Sequence, residues 1–245
     1  PIYEGYGMTE NTAGISINYG GGNKIGSVGK CMPFFDLKIA SDGEVLIKGD
    51  NVMKGYYKNP KATEETIIDG WLQTGDVGKI DSDGYLFITG RKKEIYVSSS
   101  GKNVAPLVIE ESMKSIPIVS QCFLIGDNRK FCSALITLDM SVILRDHIGV
   151  DVNEIPKDPS KQNEMILANN KKLSDYTDSQ DIFEKVSDDI QKLNQNFSSP
   201  EQIKKFSILP RDFSIDDGEL TPTLKIRRKQ INENWASVIE DMYSE

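Results

Sequence analysis

Three short stretches of this 245-residue chain bring together residue types suited to nucleotide chemistry. Gly5-Tyr6-Gly7-Met8-Thr9-Glu10 sets glycines, whose bare backbone lets a ligand approach, beside an aromatic ring, a hydroxyl and a hard carboxylate. Tyr6 offers a face for a base and Thr9 a donor for phosphate. Glu10 suits Mg²⁺, commonly held by one or two carboxylates plus phosphate oxygens. A plain turn is the alternative reading of this string. In Trp71-Leu72-Gln73-Thr74-Gly75-Asp76, a carboxylate on a glycine turn can accept from both hydroxyls of a ribose, having two acceptor oxygens. The alternative is an Asp that merely closes a turn. Arg91 follows at the end of a strand and can donate to the same ribose or to phosphate. Finally, Leu220-Thr221-Pro222-Thr223-Leu224-Lys225 reads as a rigid loop presenting one lysine. Arg227, Arg228 and Lys229 after it read equally as the solvated basic start of a helix.

Composition removes other chemistries. Twenty-nine basic against 37 acidic residues give a net charge of −8, which argues against a general nucleic-acid or anionic-membrane binder. Three cysteines, Cys31, Cys122 and Cys132, lack C-x-x-C spacing, so neither a disulfide framework nor structural zinc is expected. Reduced, structural thiols in a cytosolic compartment follow from that. The one histidine, His147, would have to serve any Ser-His-Asp or Cys-His mechanism, and it reads as an ordinary surface or core residue of a helix at 141–148. No Walker sequence is present; Gly20-Gly21-Gly22-Asn23-Lys24-Ile25-Gly26 has the wrong order. Gly5-Tyr6-Gly7 begins like a dinucleotide fingerprint, but Glu10 stands where its third glycine belongs. No apolar run reaches the roughly 20 residues of a membrane span, and the first residues do not read as a signal peptide.

The elements that must hold these residues fall into two parts. The first ninety or so residues read as short strands and turns, with a strand at 44–48 and a hairpin of 77–81 with 85–89 around Asp81-Ser82-Asp83-Gly84. After Gly90 the pattern alternates between helix and strand. Asn103 is expected to cap a helix with Pro106 in its first turn and Ile109, Met113 and Ile116 facing a core. Strands are expected at 119–125, 132–138 and 206–209. Residues 151–181 read as a polar surface insertion with at most a short helix. Phe183, Val186, Ile190, Leu193 and Phe197 form a helical stripe, and Ile231, Trp235, Val238 and Met242 the buried face of a single final helix. The expected fold is α/β and α+β: a β-rich part at 1–92 and a small mixed α+β domain at 93–245.

Taken in order, GYGMTE (5–10), GSVGK (26–30), GEVLIKGDNVMKGYYKNPKAT (43–63), DGWLQTGDVGKIDSDGYLFITGRKKE (69–94), SSGKNVAP (99–106) and LTPTLKIRR (220–228) resemble the adenylate-forming acyl-CoA synthetases, relatives of firefly luciferase. The closing motif, with EQIKKFSIL (201–209) before it, most resembles the long-chain fatty-acyl-CoA synthetases. Acetyl-CoA synthetases and peptide-synthetase adenylation domains usually carry glycine before the motif lysine, where this chain has Leu224. The resemblance implies a ligase that converts a fatty acid and ATP to acyl-AMP and pyrophosphate, then passes the acyl group to coenzyme A. It implies Tyr6 against adenine, Gly7 beside the nucleotide, Thr9 on phosphate and Glu10 on Mg²⁺. Asp76 would hold both ribose hydroxyls with Arg91 in support. Lys225 would bridge the fatty carboxylate and the α-phosphate. Lys93 would be a hinge, and the loop Ser99–Gly101 would line the pantetheine path, Gly101 allowing close approach of the thiol arm. Residues 1–92 would be the distal part of the large N-terminal AMP-binding domain and 93–245 the mobile C-terminal domain. The family's phosphate loop, of the form S-G-T-T-G-x-P-K-G, has no counterpart in these residues, so the chain is expected to be part of a longer enzyme and inactive by itself. The expected location is cytoplasmic, with peripheral contact to an intracellular membrane compatible with a long-chain substrate. Alternatives are a ligase of the same chemistry for another carboxylic acid, and a non-catalytic nucleotide-binding remnant.

Overall fold

The computed structural model describes residues 1–98 and 101–244. The chain divides into two compact units, Pro1–Ile95 and Tyr96 onward.

The regular structure of the first unit is mostly short strands. β1 (Gly5–Tyr6), β2 (Ser16–Ile17) and β3 (Lys30–Cys31) form a small antiparallel sheet. β4 (Asp36–Ile39), β5 (Glu44–Lys48), helix α1 (Pro60–Thr66), β6 (Ile67–Ile68), β7 (Trp71–Ile80) and β8 (Leu86–Arg91) follow. Strand β7 is the spine of the larger sheet, pairing with β5, β6 and β8. The expected hairpin forms between β7 and β8, with Gly84 at φ +84° in its turn. Ile15, Val45, Ile47, Leu72 and Leu86 make the core, with Tyr6 and Met8 packed on its edge. The glycine-rich loop at 20–26 contains an ion-paired lysine: Lys24 Nζ lies 2.5 Å from Asp81 and 2.9 Å from Asp83. That side chain braces the hairpin turn.

The second unit opens with a short pair, β9 (Tyr96–Val97) and β10 (Asn103–Val104), then α2 (Pro106–Met113), β11 (Val119–Ile125) and β12 (Cys132–Leu138). Next come α3 (Met140–Val142), continued by a π-helical stretch at Ile143–Ile148, then α4 (Pro159–Ala168), α5 (Ser174–Thr177), α6 (Gln180–Asn194), β13 (Ile203–Ile208), α7 (Arg228–Asn234) and α8 (Ala236–Tyr243). β12 runs between an antiparallel β11 and a parallel β13, and every one of its residues is buried. Alternation along the strands sends Cys122, Leu124, Ala134 and Ile136 to one face, against α2 and α6, and Phe123, Ile125 and Leu135 to the other, against α7 and α8. Both faces of this small sheet are therefore dry.

Several local expectations need correction. Asn103 lies in β10, and α2 begins at Pro106 with Ala105 before it and no side-chain cap. Proline at the first helical position removes one of the unpaired N–H groups and presets the helical φ, so the helix starts there. The polar stretch 151–181 contains a ten-residue helix, α4, capped by Asp158, which accepts from Ser160 and Lys161 N–H; its Ile166 is fully buried. Its apolar residues after Pro159, namely Met165, Ile166, Leu167 and Ala168, are consecutive rather than spaced as a stripe, so periodicity does not reveal its length. In α6 the buried line is Ile182, Val186 and Ile190, while Phe183 stays 39% exposed and stacks on Phe206 at 4.5 Å. The final helix is two, broken at Trp235, whose indole Nε1–H donates to Glu219 Oε1 at 2.8 Å. His147 is exposed, edge-on to Tyr176. The three cysteines are free thiols, and burial pushes Cys122 and Cys132 above the usual thiol range. Among the described residues no helix is long and apolar enough to cross a membrane.

Candidate functional site

The Gly5–Glu10 string folds as a strand end followed by a tight loop. Gly7 is obligatory: a Cβ there would sit 1.4 Å from the Ala13 carbonyl oxygen. Ile15 N–H returns to the Tyr6 carbonyl at 2.9 Å, closing the loop. Asn11, fully buried, holds the turn through its Oδ1, which accepts Met8 N–H at 2.8 Å. Asn51 Nδ2 donates to the Asn11 carbonyl at 2.9 Å, fastening the loop from a second segment. Thr9 and Glu10 are thereby carried at the surface side of the turn. Glu10 Oε1 accepts the Tyr56 hydroxyl at 2.8 Å, a bond that raises the Tyr56 pKa. Among the described residues no side chain donates to Glu10 Oε2, and no group of three or more His, Cys, Asp or Glu converges on a metal position. That donor set fits Mg²⁺ bound through one carboxylate, with phosphate and water supplying the remaining oxygens.

Asp76 owes its position to an irregularity in the sheet. Glu44 pairs with Val77, but the next partners are Leu46 and Gln73, so Thr74, Gly75 and Asp76 together oppose the single residue Val45. A bulge of this kind re-aims the side chain at its crest. Gly75 adopts φ +72°, which suits glycine. Backbone groups released from the ladder find partners outside it. Thr74 Oγ1 donates to the Val45 carbonyl at 2.8 Å and accepts Asp76 N–H at 3.0 Å. Gly75 N–H donates to Glu44 Oε1 at 2.8 Å, and the Gly75 carbonyl accepts Lys92 N–H at 2.8 Å.

On the other side of β7, Asp76 stands directly opposite Arg91 of β8. Arg91 Nε lies 3.2 Å from Asp76 Oδ1, and the Tyr6 hydroxyl donates to Oδ2 at 2.6 Å. Burial, and then this bond to a carboxylate, raise the Tyr6 pKa far above the phenol range, so the hydroxyl remains a donor. The Asp76 side chain is only 11% exposed, whereas Arg91 is 61% exposed. An ionised carboxylate has about four lone-pair positions, so Asp76 retains acceptor capacity beyond these two contacts. Tyr6, Asp76 and Arg91, separated by 70 and 15 residues in sequence, are one cluster in space. Lys93 lies exposed in the turn just after Arg91.

Lys225 follows the turn of a small hairpin in the second unit, on its returning arm. Leu220 and Ile226 bridge at its base, Thr221 N–H reaches the Lys225 carbonyl at 2.9 Å, and Leu224 N–H closes a turn on the Thr221 carbonyl at 2.8 Å. Pro222 occupies the second position of that turn, where its fixed φ belongs. Leu224 then takes φ +61°, a left-handed conformation that favours glycine, with its side chain 68% exposed. Thr221 Oγ1 accepts Lys225 N–H at 3.0 Å. The Lys225 side chain makes no hydrogen bond or ion pair among the described residues.

The hairpin is flanked by two buried carboxylates. Glu219, with no exposed surface, accepts from Arg211 at 2.7 and 3.0 Å, Trp235 at 2.8 Å, and Asn234 and Ser214 N–H at 3.1 Å each. Burial alone pushes its pKa up; the combined hydrogen bonds from Arg211, Asn234, Ser214 and Trp235 outweigh that and hold the carboxyl below the usual range. On the far side, Arg228 reaches Glu110 at 2.6 and 2.7 Å and lies over the Phe123 ring. Arg228 is therefore no part of a solvated basic stretch, although Arg227 and Lys229 are exposed.

Gly101 adopts φ +76° with open space where a Cβ would be, so the turn itself, closed by Gly101 N–H on the Ser98 carbonyl at 2.8 Å, is what uses glycine. Ser99 of the expected pantetheine loop lies outside the described residues. Sequence reasoning did not single out Asn11, Glu44, Glu110 or Glu219. Asn11 adjoins a motif that was read, and Glu44 opens a strand after Gly43, but nothing local marks Glu110 or Glu219 as buried.

A family profile described as AMP-binding enzyme matches residues 1–57, and one described as AMP-binding enzyme C-terminal domain matches residues 93–149 and 159–245. Over 249 aligned residues the chain is 42% identical to the long-chain-fatty-acid–CoA ligase FadD15 of Mycobacterium bovis, covering 99% of this chain and 38% of that protein. The long-chain-fatty-acid–CoA ligase ACSBG1 of Rattus norvegicus is 34% identical across all of this chain and 35% of its own length. The chain thus spans little more than a third of these relatives. Among solved structures, the A-PCP didomain of carboxylic acid reductase from Segniliparus rugosus, in complex with AMP, superposes with a TM-score of 0.71 at 21% identity over 99% of this chain and 31% of that one. The anthranilate CoA ligase AuaEII, in complex with anthranoyl-AMP, gives 0.68 at 20% identity over 96% and 40%. These likenesses speak to fold, and the profiles, one of them covering more than half of the chain, speak to descent: the chain belongs to the AMP-binding enzyme family.

Proposed function

We propose that this chain carries the ribose-recognition site and the motif lysine of a long-chain fatty-acid–CoA ligase, an AMP-forming acid–thiol ligase acting in two half-reactions. The observation that carries the reading is the Tyr6–Asp76–Arg91 cluster, an almost enclosed carboxylate held by a phenol and a guanidinium with acceptor capacity to spare. Identity to FadD15 and ACSBG1 along the whole chain supports the substrate class. In this reading residues 1–92 end the large nucleotide-binding domain and 93–245 form the C-terminal domain, with Lys93 as the hinge.

In the first half-reaction the fatty carboxylate attacks the α-phosphorus of ATP and pyrophosphate leaves. Asp76 accepts from both ribose hydroxyls, Arg91 donates to the ribose edge, and the Tyr6 ring lies against adenine beside Gly7. Thr9 donates to phosphate. Glu10 would hold Mg²⁺, which supplies charge neutralisation on the phosphate oxygens when bound. Lys225 places an ammonium between two anions that repel each other, stabilising the charge that accumulates as they merge. In the second half-reaction the thiol of coenzyme A displaces AMP, with the turn at Gly101 beside the pantetheine arm. Titration of the chain with AMP tests the nucleotide reading: Asp76→Ala abolishes the binding heat, and unchanged binding refutes the site. Product analysis of the full-length protein with acids of several chain lengths tests the substrate class, long acids being turned over fastest.

A further inference from the structure

We propose that Glu44 is a positioning residue for ribose recognition, clamping the bulge that presents Asp76 to the strand that presents Arg91; this rests on the nucleotide reading of Asp76. Glu44 is a carboxylate only 5% exposed, an uncommon state for an acidic side chain in a small sheet. Its two oxygens serve two different segments, strand β7 and the turn that follows β8. Oε1 accepts the N–H of Gly75, the residue before Asp76, at 2.8 Å, and Oε2 accepts Lys92 Nζ, from the residue after Arg91, at 2.8 Å. Lys92 also reaches Asp42 at 2.6 Å, and its own N–H closes on the Gly75 carbonyl. Both members of the cross-strand pair are therefore flanked by a residue that Glu44 holds.

The physical need for the clamp lies in the bulge. Three residues opposing one leave Gly75 without a ladder partner on β5, and glycine has no side chain with which to pack. Without an acceptor for its N–H the crest is held only through the Gly75 carbonyl and Thr74, and Asp76, whose carboxylate must meet two hydroxyls at once, loses part of its aim. Displacements of about 1 Å at such a site are enough to cost binding or rate. Glu44 touches no ligand in this scheme; its effect passes through Gly75 and Lys92.

The readout that separates aim from stability is discrimination between AMP and 2′,3′-dideoxy-AMP, measured by calorimetric titration of the full-length protein. The natural protein prefers AMP by about tenfold or more per hydroxyl bonded to the carboxylate. Asp76→Asn lowers that ratio to within about threefold of unity. Glu44→Ala lowers the ratio about tenfold. Glu44→Gln, which keeps an acceptor for Gly75 but loses the charge facing Lys92, lowers it about threefold. A Glu44→Ala protein that weakens both nucleotides equally, ratio intact, overturns the proposal, since that is the mark of a merely structural residue. If Glu44→Ala fails to fold, Glu44→Gln and Lys92→Met decide in the same way: an unchanged ratio in both overturns the proposal. Should Asp76→Asn itself leave the ratio unchanged, the ribose reading fails and this inference goes with it, an outcome distinct from collapse in Asp76→Asn without any effect at Glu44.

Discussion

Asp76 and Lys225, the two residues on which the proposed chemistry turns, are held in opposite ways. The Asp76 carboxylate is nearly enclosed and already bonded to Tyr6 and Arg91, and its backbone is fastened at Thr74, Gly75 and Lys92. Lys225 has an exposed side chain without a partner among the described residues, although the base of its hairpin is anchored by Glu219 and by the Arg228–Glu110 pair. Recognition of a fixed feature such as a ribose gains from a side chain that need not reorganise. A charge needed in one step and unwanted in the next gains from a rigid base and a loose tip. In the first site rigidity reaches the functional atoms; in the second it stops at the backbone.

The largest effect expected from this contrast is in Lys225→Ala. Loss of one transition-state charge contact lowers adenylation by about 10²–10³-fold, read as ATP–pyrophosphate exchange in the full-length protein. Thioester formation from supplied acyl-adenylate is largely spared, and the melting temperature stays unchanged because the side chain is exposed. Equal loss in both half-reactions refutes the role given to Lys225.

Glu219→Ala tests the anchored base. Removing a buried carboxylate from Arg211, Trp235 and Asn234 destabilises by about 2–4 kcal/mol, below the full value for a buried pair because Arg211 is partly solvated. Urea unfolding followed at Trp235 measures it. The pH dependence has a definite sign. The Glu219 carboxyl is held below its unfolded value, so its contribution is present above about pH 4.3 and is lost as pH falls through the folded value. Glu219→Gln accordingly flattens the acid limb of the stability curve; an acid limb as steep as in the natural protein contradicts the assignment.

Tyr6→Phe asks how much of the first site's rigidity comes from its phenol. Loss of a hydroxyl bond to a carboxylate costs about 1–2 kcal/mol of stability in the first unit. AMP affinity changes less than about threefold, since the aromatic face and Asp76 remain. A large loss of affinity instead would mean that the phenol, more than the bulge, aims Asp76. Smallest is Leu224→Gly. Relief of a left-handed non-glycine backbone is partly offset by chain entropy, for a gain below about 1 kcal/mol. Leu224→Val, β-branched at the same φ, shifts the melting temperature downward.

The legible parts of the molecule were those whose cause is local. Asp81-Ser82-Asp83-Gly84 announced its hairpin because aspartate and glycine tolerate the turn, and the apolar runs at 119–125 and 132–138 announced two buried strands. Helix α4 is longer than the short helix expected in 151–181, and its length was hidden because Ile166 is the one apolar residue that it buries completely. The break at Trp235 was invisible because its reason, an indole reaching Glu219, lies 16 positions away. Arg228 looked like one of three solvated cations until the fold placed Glu110, 118 positions earlier, beside it.

Motif order and residue chemistry in the linear chain were enough to indicate an adenylate-forming family, a mixed α/β and α+β architecture, and Tyr6, Asp76, Arg91 and Lys225 as the residues to watch. Residue type and near-neighbour spacing decide turns, caps and alternation, and these are properties of a few consecutive positions. Which carboxylates are enclosed, which cations they hold, and the bulge that aims Asp76 belong to the folded protein alone. Sheet register and burial arise from segments dozens of residues apart, and a hydrogen bond across that separation leaves no trace in either segment by itself.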